Sequence, residues 1–597
     1  MTTGTLLLAV LQLGLFIVVG WCMGGLLLAR AWPGRDFQWP ERALAAIAGG
    51  VVFAVGCMIG HIVSGGALFA TPGVVPALAL GAVFVSRGHA GRPRGVRWPL
   101  LIAFVVILVA LYAAPGVIGG SSVRTGDPPW HLGWSEQLLA GEAIPTGPAP
   151  EFGRNAYPWG LHAVIATLVR LVPSSTPLIA HEALHLLLLA GLPLAAACLA
   201  RAFDERAGWA GAGAMSLIGG FGWVSAGEPD FVASPGAARY GADLVVASPN
   251  SVYELLPPAL PRELGLILLA AVGVALLLSQ REGRGAFAAG SAVGIVGLVS
   301  VPLLVTAVLW SLALGLATRS GRWLGRVLVI AVGVFALWAG PVVSNYVAHG
   351  GFVNITPRLG VEWPLPVALA SWGLLLPLAL GGAFLMRRHR ALSLAVATAG
   401  LLALAVARGA FDWTLGGNAT LLHQGRVWPP MHLLGAALAG VALVTLWSRA
   451  ALGRILVAMV LMVGSISPAF ASMRLTELIT DQVAGFDYAR PDHAFVRRVA
   501  SHLGPDDVLL VEGSDALAFR VFEFSGVKLA DYDDARLPSN DLRIRYRELA
   551  EAWDRQTTTT GFDADFYLIP APNGAAPASL ERGSFGGRDW IMLPLAR

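Results

Sequence analysis

The run Gly126-Asp127-Pro128-Pro129-Trp130-His131 puts a carboxylate just beyond a long apolar stretch, stiffens it with two prolines, and follows it with an aromatic ring and an imidazole. A carboxylate held at that level can take a proton from a hydroxyl arriving from water, which is general-base chemistry. The same residues also suit a turn, with Trp130 and Trp134 anchoring the loop at a membrane interface. Further on, Asn155-Ala156-Tyr157-Pro158-Trp159-Gly160-Leu161-His162 opens a second apolar stretch. A different chemistry is offered by His181-Glu182-Ala183-Leu184-His185, a literal H-E-x-x-H, which on a helix sets two imidazoles on one face as in zinc proteases. It falls inside an apolar span, no third ligand is evident, and the late spans near 429–448 and 454–472 lack the acid such a protease needs. His181 and His185 are therefore expected to be packing or hydrogen-bonding residues with no metal. An intramembrane zinc metalloprotease is the alternative.

These residues must be positioned by lipid-embedded elements. Of 597 residues 56% are apolar and only 13% charged, against about 25% charged in soluble domains. The charges are uneven: Met1 to Ser472 holds 17 acids and 27 bases, whereas Met473 to Arg597 holds 20 acids and 14 bases. The first part is solvated by lipid and the second, 473–597, by water. The basic balance comes from loops between spans and gives no reason to propose nucleic acid as a partner. Cys22, Cys57 and Cys198 all fall in apolar runs, so no disulfide framework or cysteine zinc cluster is available.

About twelve stretches reach the length a hydrocarbon core demands: near 4–30, 43–63, 67–87, 98–119, 177–200, 207–227, 259–279, 327–347, 365–386, 391–408, 429–448 and 454–472. The first lacks a basic leader region and reads as a retained helix, not a cleaved signal. Arginine clusters at 87–97, 281–284, 319–326 and 387–390 mark cytoplasmic loops by the positive-inside rule. Two apolar stretches do not fit as crossings. Tyr157 to Val172 is expected to be a short helix entered and left from outside. Ala286 to Ala317, with basic loops at both ends and Pro302 in its middle, is expected to enter, break and return, as broken helices do when buried in protein. Most acids of the membrane part then fall outside: Asp127, Glu136, Glu142, Glu151, Glu228, Asp230, Asp243, Glu254, Glu362 and Asp412.

After Ser472 the pattern becomes helix then strand: Ala494 to Leu503 reads as an amphipathic helix, and Val508–Val511, Phe566–Ile569 and Trp590–Leu593 as strands of a small α/β domain, expected outside the cytoplasm. The acidic run Asp531 to Asp534 reads as a solvated loop, with a cation site as the alternative.

Taken in order, a span, a loop Asp127, an amphipathic helix and Tyr157-Pro158-Trp159-Gly160 resemble the integral-membrane glycosyltransferases of the C-type fold (GT-C). Among them the chain looks most like the actinobacterial arabinofuranosyltransferases of cell-wall arabinogalactan synthesis. Ser248-Pro249-Asn250, Leu255-Leu256-Pro257-Pro258-Ala259-Leu260, and Gly425-Arg426-Val427 opening a late span agree with it, while Trp159 departs from the usual Tyr-Pro-Pro-Gly. One Lys (Lys528) beside 40 Arg suits a high-GC actinobacterial source. The resemblance implies a polytopic α-helical membrane protein with an extracytoplasmic α/β domain, a polyprenyl-phosphate sugar as donor, and a cell-envelope glycan as acceptor. It makes Asp127 the candidate base and Arg262, Arg426 and His423 candidate partners of the donor phosphate, since a guanidinium grips phosphate oxygens in a bidentate way. Interfacial snorkelling is the other reading of those arginines. Trp130, His131, Tyr157, His162, Glu228, Asp230 and Asp243 are the candidate acceptor and pocket residues. No cofactor is required by the sequence, and a divalent cation is left open. A lipid or glycan transporter is a further alternative, but it predicts internal repeats that are not seen.

Overall fold

The computed structural model describes residues 3–89, 128–145, 158–172, 174–218, 261–349, 372–410, 424–449, 451–466, 491–504, 506–511, 515–529, 565–571, 579–585 and 588–594. The chain opens with α1 (Thr3–Ala31) and α2 (Trp39–Val63), which pack closely because Gly20, Gly24, Gly49 and Gly50 let the two backbones touch. Next come the one-turn α3 (Ala67–Ala70) and α4 (Val74–Ser86). The expected span at 67–87 is thus broken: Gly73 sits at φ 88, a left-handed conformation open to glycine, and splits it after Thr71-Pro72.

Beyond residues not described lie α5 (Pro128–Ala140) and α6 (Gly160–Leu171), then α7 (Pro177–Phe203) and α8 (Gly208–Leu217). The central bundle continues with α9 (Pro261–Glu282), α10 (Ala286–Val299), α11 (Val301–Ala317) and α12 (Gly321–His349). It closes with α13 (Leu375–Leu385), α14 (Leu392–Ala410), α15 (Gln424–Trp447) and α16 (Ala451–Gly464). Among the described residues six helices are long and apolar enough to cross a membrane, in α1, α2, α7, α9, α12 and α15. The protein is a largely helical, multi-span membrane protein. The expected span at 98–119 lies outside the described residues, as do parts of those at 207–227 and 365–386.

The two stretches that do not fit as simple crossings are a short helix and a helix pair broken in its middle. α6 has 12 residues, about 18 Å at 1.5 Å per residue, against roughly 30 Å of hydrocarbon. It is nearly all buried, packed against α2, α5 and α7. α10 and α11 are separated at Ser300, whose backbone is extended (φ −152, ψ 106), with Pro302 in the first turn of α11 where its missing N–H costs nothing. Both ends of this hairpin lie at one face: Gly285 packs on Trp32, and Trp323 donates to Ser279 Oγ at 2.8 Å.

Side-chain ties sort the loops into two faces. One holds Arg35–Glu282 (2.6 Å), Arg201–Glu41 (3.3 Å) and Arg390–Gln280 (3.0 Å), and it is the face the arginine-rich loops share. On the other, Gln12 Nε2 donates to Leu168 O at 2.9 Å, Arg170 to Leu139 O at 2.8 Å, and His61 Nε2 bonds Glu142 O at 2.9 Å. α1 therefore starts on the face that carries α5.

The C-terminal part holds α17 (Pro491–Ser501), β1 (Val508–Val511), α18 (Asp515–Ser525), β2 (Lys528–Leu529), β3 (Phe566–Pro570), β4 (Glu581–Phe585) and β5 (Arg588–Pro594). The sheet order is β2-β1-β3-β5-β4, with β1 parallel to both neighbours and β5 antiparallel to both of its own. The expected strands are β1, β3 and β5. The acidic run 531–534 and the junction at 472 lie outside the described residues. Burial tends to raise the Glu581 carboxyl, but hydrogen bonds from Arg498 and His502 hold it below the ordinary range and tie α17 to β4.

Candidate active site

The first long loop between spans is pinned where its two helices begin. His131, in the first turn of α5, and His162, in the first turn of α6, share a hydrogen bond, Nδ1 to Nε2 at 2.9 Å, with rings stacked 5.1 Å apart. One ring donates and the other accepts, so the contact requires at least one neutral imidazole. Trp134 lies edge-on to both, at 5.7 Å and 5.2 Å. The residues just before these helices, Asp127 and Tyr157, lie outside the described residues, but the helices that follow them are joined. His131 and His162 are buried (1% and 0% exposed), and Trp130 is buried in a separate apolar cluster. One turn on, burial pushes the Glu136 carboxyl up to about 8, against the opposing pull of the nearby Arg170 guanidinium.

The break at Ser300 is the hub around which other sequence-flagged positions gather. Gly160 opens α6 against the end of α10: a Cβ there would lie 2.6 Å from Leu298 O and 2.8 Å from Val299 Cγ2. Gly265, one turn into α9, faces Ser300 Cβ and Leu303. Val427, beside Arg426 in the first turn of α15, clusters with Val305 and Leu309 of α11 and with Leu401 and Ala405 of α14. The N-terminal ends of α6 and α9 thus meet a buried break in an apolar helix hairpin, and the first turn of α15 packs on α11 farther along, in the setting where discontinuous helices expose backbone N–H groups and the positive ends of helix dipoles.

Arg262 stands in the first turn of α9 but pairs with Glu263, itself only 3% exposed. An anion reaching Arg262 must therefore compete with a carboxylate, which weakens its case relative to Arg426. The Arg426 backbone is helical, and its side chain lies outside the described residues, as do His423, Glu228, Asp230 and Asp243. Sequence reasoning did not single out Ser300, and it named Trp159 only as a departure from the resembled motif; both are buried. It also missed the cluster in which Trp372 meets Trp428 and His432 of α15, each at 5.7 Å. The signal available for the last was two aromatic or imidazole residues four apart at the start of a late span.

The H-E-x-x-H residues lie one turn into α7. The ligand atoms of His181, Glu182 and His185 are within 4.8 Å of one another, close enough for small rotamer changes to let them share one cation. Glu182 turns toward His185 Nδ1 at 3.2 Å, and the two imidazoles meet edge-on at 4.6 Å. The donor set fits zinc. A proteolytic centre fits less well, because the would-be base is engaged by its own helix and neither α15 nor α16 carries an acid.

No protein-family model matches the chain, and no curated protein matches it. Solved structures resemble it. ArnT from Cupriavidus metallidurans bound to undecaprenyl phosphate is 13% identical, with a TM-score of 0.49 over 83% of this chain and 98% of that one. The oligosaccharyltransferase of Archaeoglobus fulgidus in the apo form is 11% identical, with a TM-score of 0.49 over 79% of this chain and 69% of that one. The archaeal oligosaccharyltransferase AglB, also from Archaeoglobus fulgidus, in complex with an inhibitory peptide and a dolichol-phosphate, gives 12% identity and a TM-score of 0.46 over the same shares.

Proposed function

We propose that this chain is an integral-membrane glycosyltransferase that moves a sugar, arabinofuranose on the sequence resemblance, from a polyprenyl-phosphate carrier to a cell-envelope glycan on the extracytoplasmic face. The observation that carries the reading is the approach of the N-terminal ends of α6 and α9 to the break at Ser300, with the first turn of α15 packed on α11 beyond it. That face is opposite the arginine-rich loops and carries the C-terminal domain through α5. Such a place suits a lipid-anchored phosphate, and in sequence Asp127 directly precedes α5.

In the proposed reaction the acceptor hydroxyl oxygen attacks the anomeric carbon while the bond from that carbon to the phosphate oxygen breaks. The electron pair leaves with the polyprenyl phosphate, and Asp127 takes the hydroxyl proton. Charge developing on the departing phosphate is met by Arg426, by Arg262 once released from Glu263, and by the helix ends. Losing a positioned base costs about 10²–10⁴ in rate. Asp127→Asn should therefore abolish most turnover of a synthetic short-chain polyprenyl-phosphoryl arabinofuranose with a galactofuranose oligosaccharide acceptor, while donor binding survives. Wild-type transfer by that variant would make Asp127 a turn residue and move the search to Glu228, Asp230 and Asp243. The ligand atoms of His181, Glu182 and His185 converge, so a cation there is the alternative to the packing role expected of them. Such a cation is compatible with the proposed transfer, since those residues would then tie one helix together without joining it.

A further inference from the structure

α5 is gripped from two sides. Toward the membrane bundle, His131 bonds His162, Leu139 O accepts from Arg170, and Glu142 O bonds His61. Toward the C-terminal domain, Trp130 and Trp134 enter the same apolar cluster as Phe495, Val521, Phe522, Leu509 and Trp590, with Trp130 and Phe522 rings 5.3 Å apart. The domain's own core is therefore completed by two side chains from a loop more than 350 residues earlier. Gly133 lies against the Phe522 ring with no room for a Cβ. One turn on, Gln137 Nε2 donates to Gly526 O at 3.0 Å, where Gly526 (φ 66) ends α18 in a left-handed turn. Beyond the helix, the Glu142 carboxyl meets Asp506 and Lys528 of the domain.

From this we infer that the C-terminal domain is a positioning element of the proposed transfer: through Phe522 and Gly526 it fixes α5, the helix that begins one peptide bond after Asp127. The inference rests on the reading of Asp127 as base. A helix is rigid along its axis, so a shift at Trp130 and Gly133 is carried to its first residue with little loss. A misplacement of about 1 Å at a catalytic group can cost around 100-fold. Trp130, Trp134 and Gln137 are positioning residues in this scheme, since they act through the helix and not on substrate.

The test uses the full chain in lipid nanodiscs with the arabinofuranosyl donor and galactofuranose acceptor named above. Phe522→Ala should lower kcat by about ten- to a hundredfold, leave donor affinity unchanged, and speed hydrogen exchange of the α5 amides. Gln137→Ala removes the bond to Gly526 O while leaving the Trp130–Phe522 ring contact in place, and should give the same pattern with a smaller fall. Arg498→Ala, which breaks the α17–β4 tie away from α5, should leave kcat and α5 exchange as in the wild type. The inference is overturned if α5 exchange rises while kcat holds, if α5 exchange does not change, or if donor affinity falls in place of kcat. Failure of the base reading shows separately, as an active Asp127→Asn whatever α5 does.

Discussion

Gly160→Ala is the substitution that most directly probes the hub at Ser300. Elsewhere in a helix this change gains up to about 1 kcal/mol of propensity; at the first residue of α6 the gain is smaller. Against it stands a Cβ placed 2.6 Å from Leu298 O, 2.8 Å from Val299 Cγ2 and 2.9 Å from Leu298 C. Carbon atoms rest at about 3.5–4.0 Å, so α6 and the end of α10 must part by roughly 1 Å. Two of those three neighbours are backbone atoms with no rotamer to change. Overpacking of this kind costs about 1–3 kcal/mol, and an ångström of displacement at the reacting groups is worth around 100-fold in turnover. The assay pairs thermal unfolding in nanodiscs with turnover of the synthetic donor. Gly213→Ala in α8, where nothing lies within 4 Å of the new methyl, serves as the matched control and should be neutral or slightly stabilising. If Gly160→Ala matches Gly213→Ala in both melting temperature and turnover, the close approach of α6 to the break has no consequence and the hub is not a site.

Other outcomes follow from single features. Because the folded protein holds the Glu136 proton up to about pH 8 and the unfolded chain only to its ordinary 4.5, stability should fall as pH rises between those values and level off above. Melting temperatures from pH 5 to 9 check this, and Glu136→Gln should flatten the slope. Elemental analysis of the purified full chain should find no stoichiometric zinc at His181, Glu182 and His185; zinc at one per chain, lost in His185→Ala, would establish the metal and revive the protease alternative. A reporter fused after Arg597 should be active only outside the cytoplasm, and cytoplasmic activity would invert the assignment of the two faces.

The break at Ser300 was legible because two independent signals agreed, the arginines at both ends of 286–317 and Pro302 in its middle. The short α6 was legible through parity: making it a crossing would have inverted every later basic loop. The split of 67–87 was missed because its apolar composition is continuous and only Thr71-Pro72-Gly73 interrupts it, a signal that length counting overrides. In the C-terminal part, strands with uninterrupted apolar runs such as Val508–Val511 were readable, whereas β4, Glu581 to Phe585, has no such pattern and exists by pairing with β5. Trp130 and Trp134 show the deeper limit. Their spacing marks one apolar face of α5, and the obvious partner is the lipid interface, yet the partner is Phe522. Periodicity says which face is buried; it carries no information about what covers it when the cover lies hundreds of residues away.

The shortness of α6 bears on how the chain is made. At 12 residues it is below the length that membrane insertion machinery retains as a span, so it should be translocated with the loop before it and fold back into the bundle afterwards. The polar ties that hold it, from Gln12 of α1 and from its own Arg170 to Phe69 O and Leu139 O, exist only once its neighbours are in place. α6 also packs on the later α7 and α9, so nascent chains arrested before α7 emerges should leave α6 open to an externally added protease, and chains arrested after α9 should protect it. The assembly of this protein would then include a step in which its least membrane-like helix folds back onto neighbours that are already anchored.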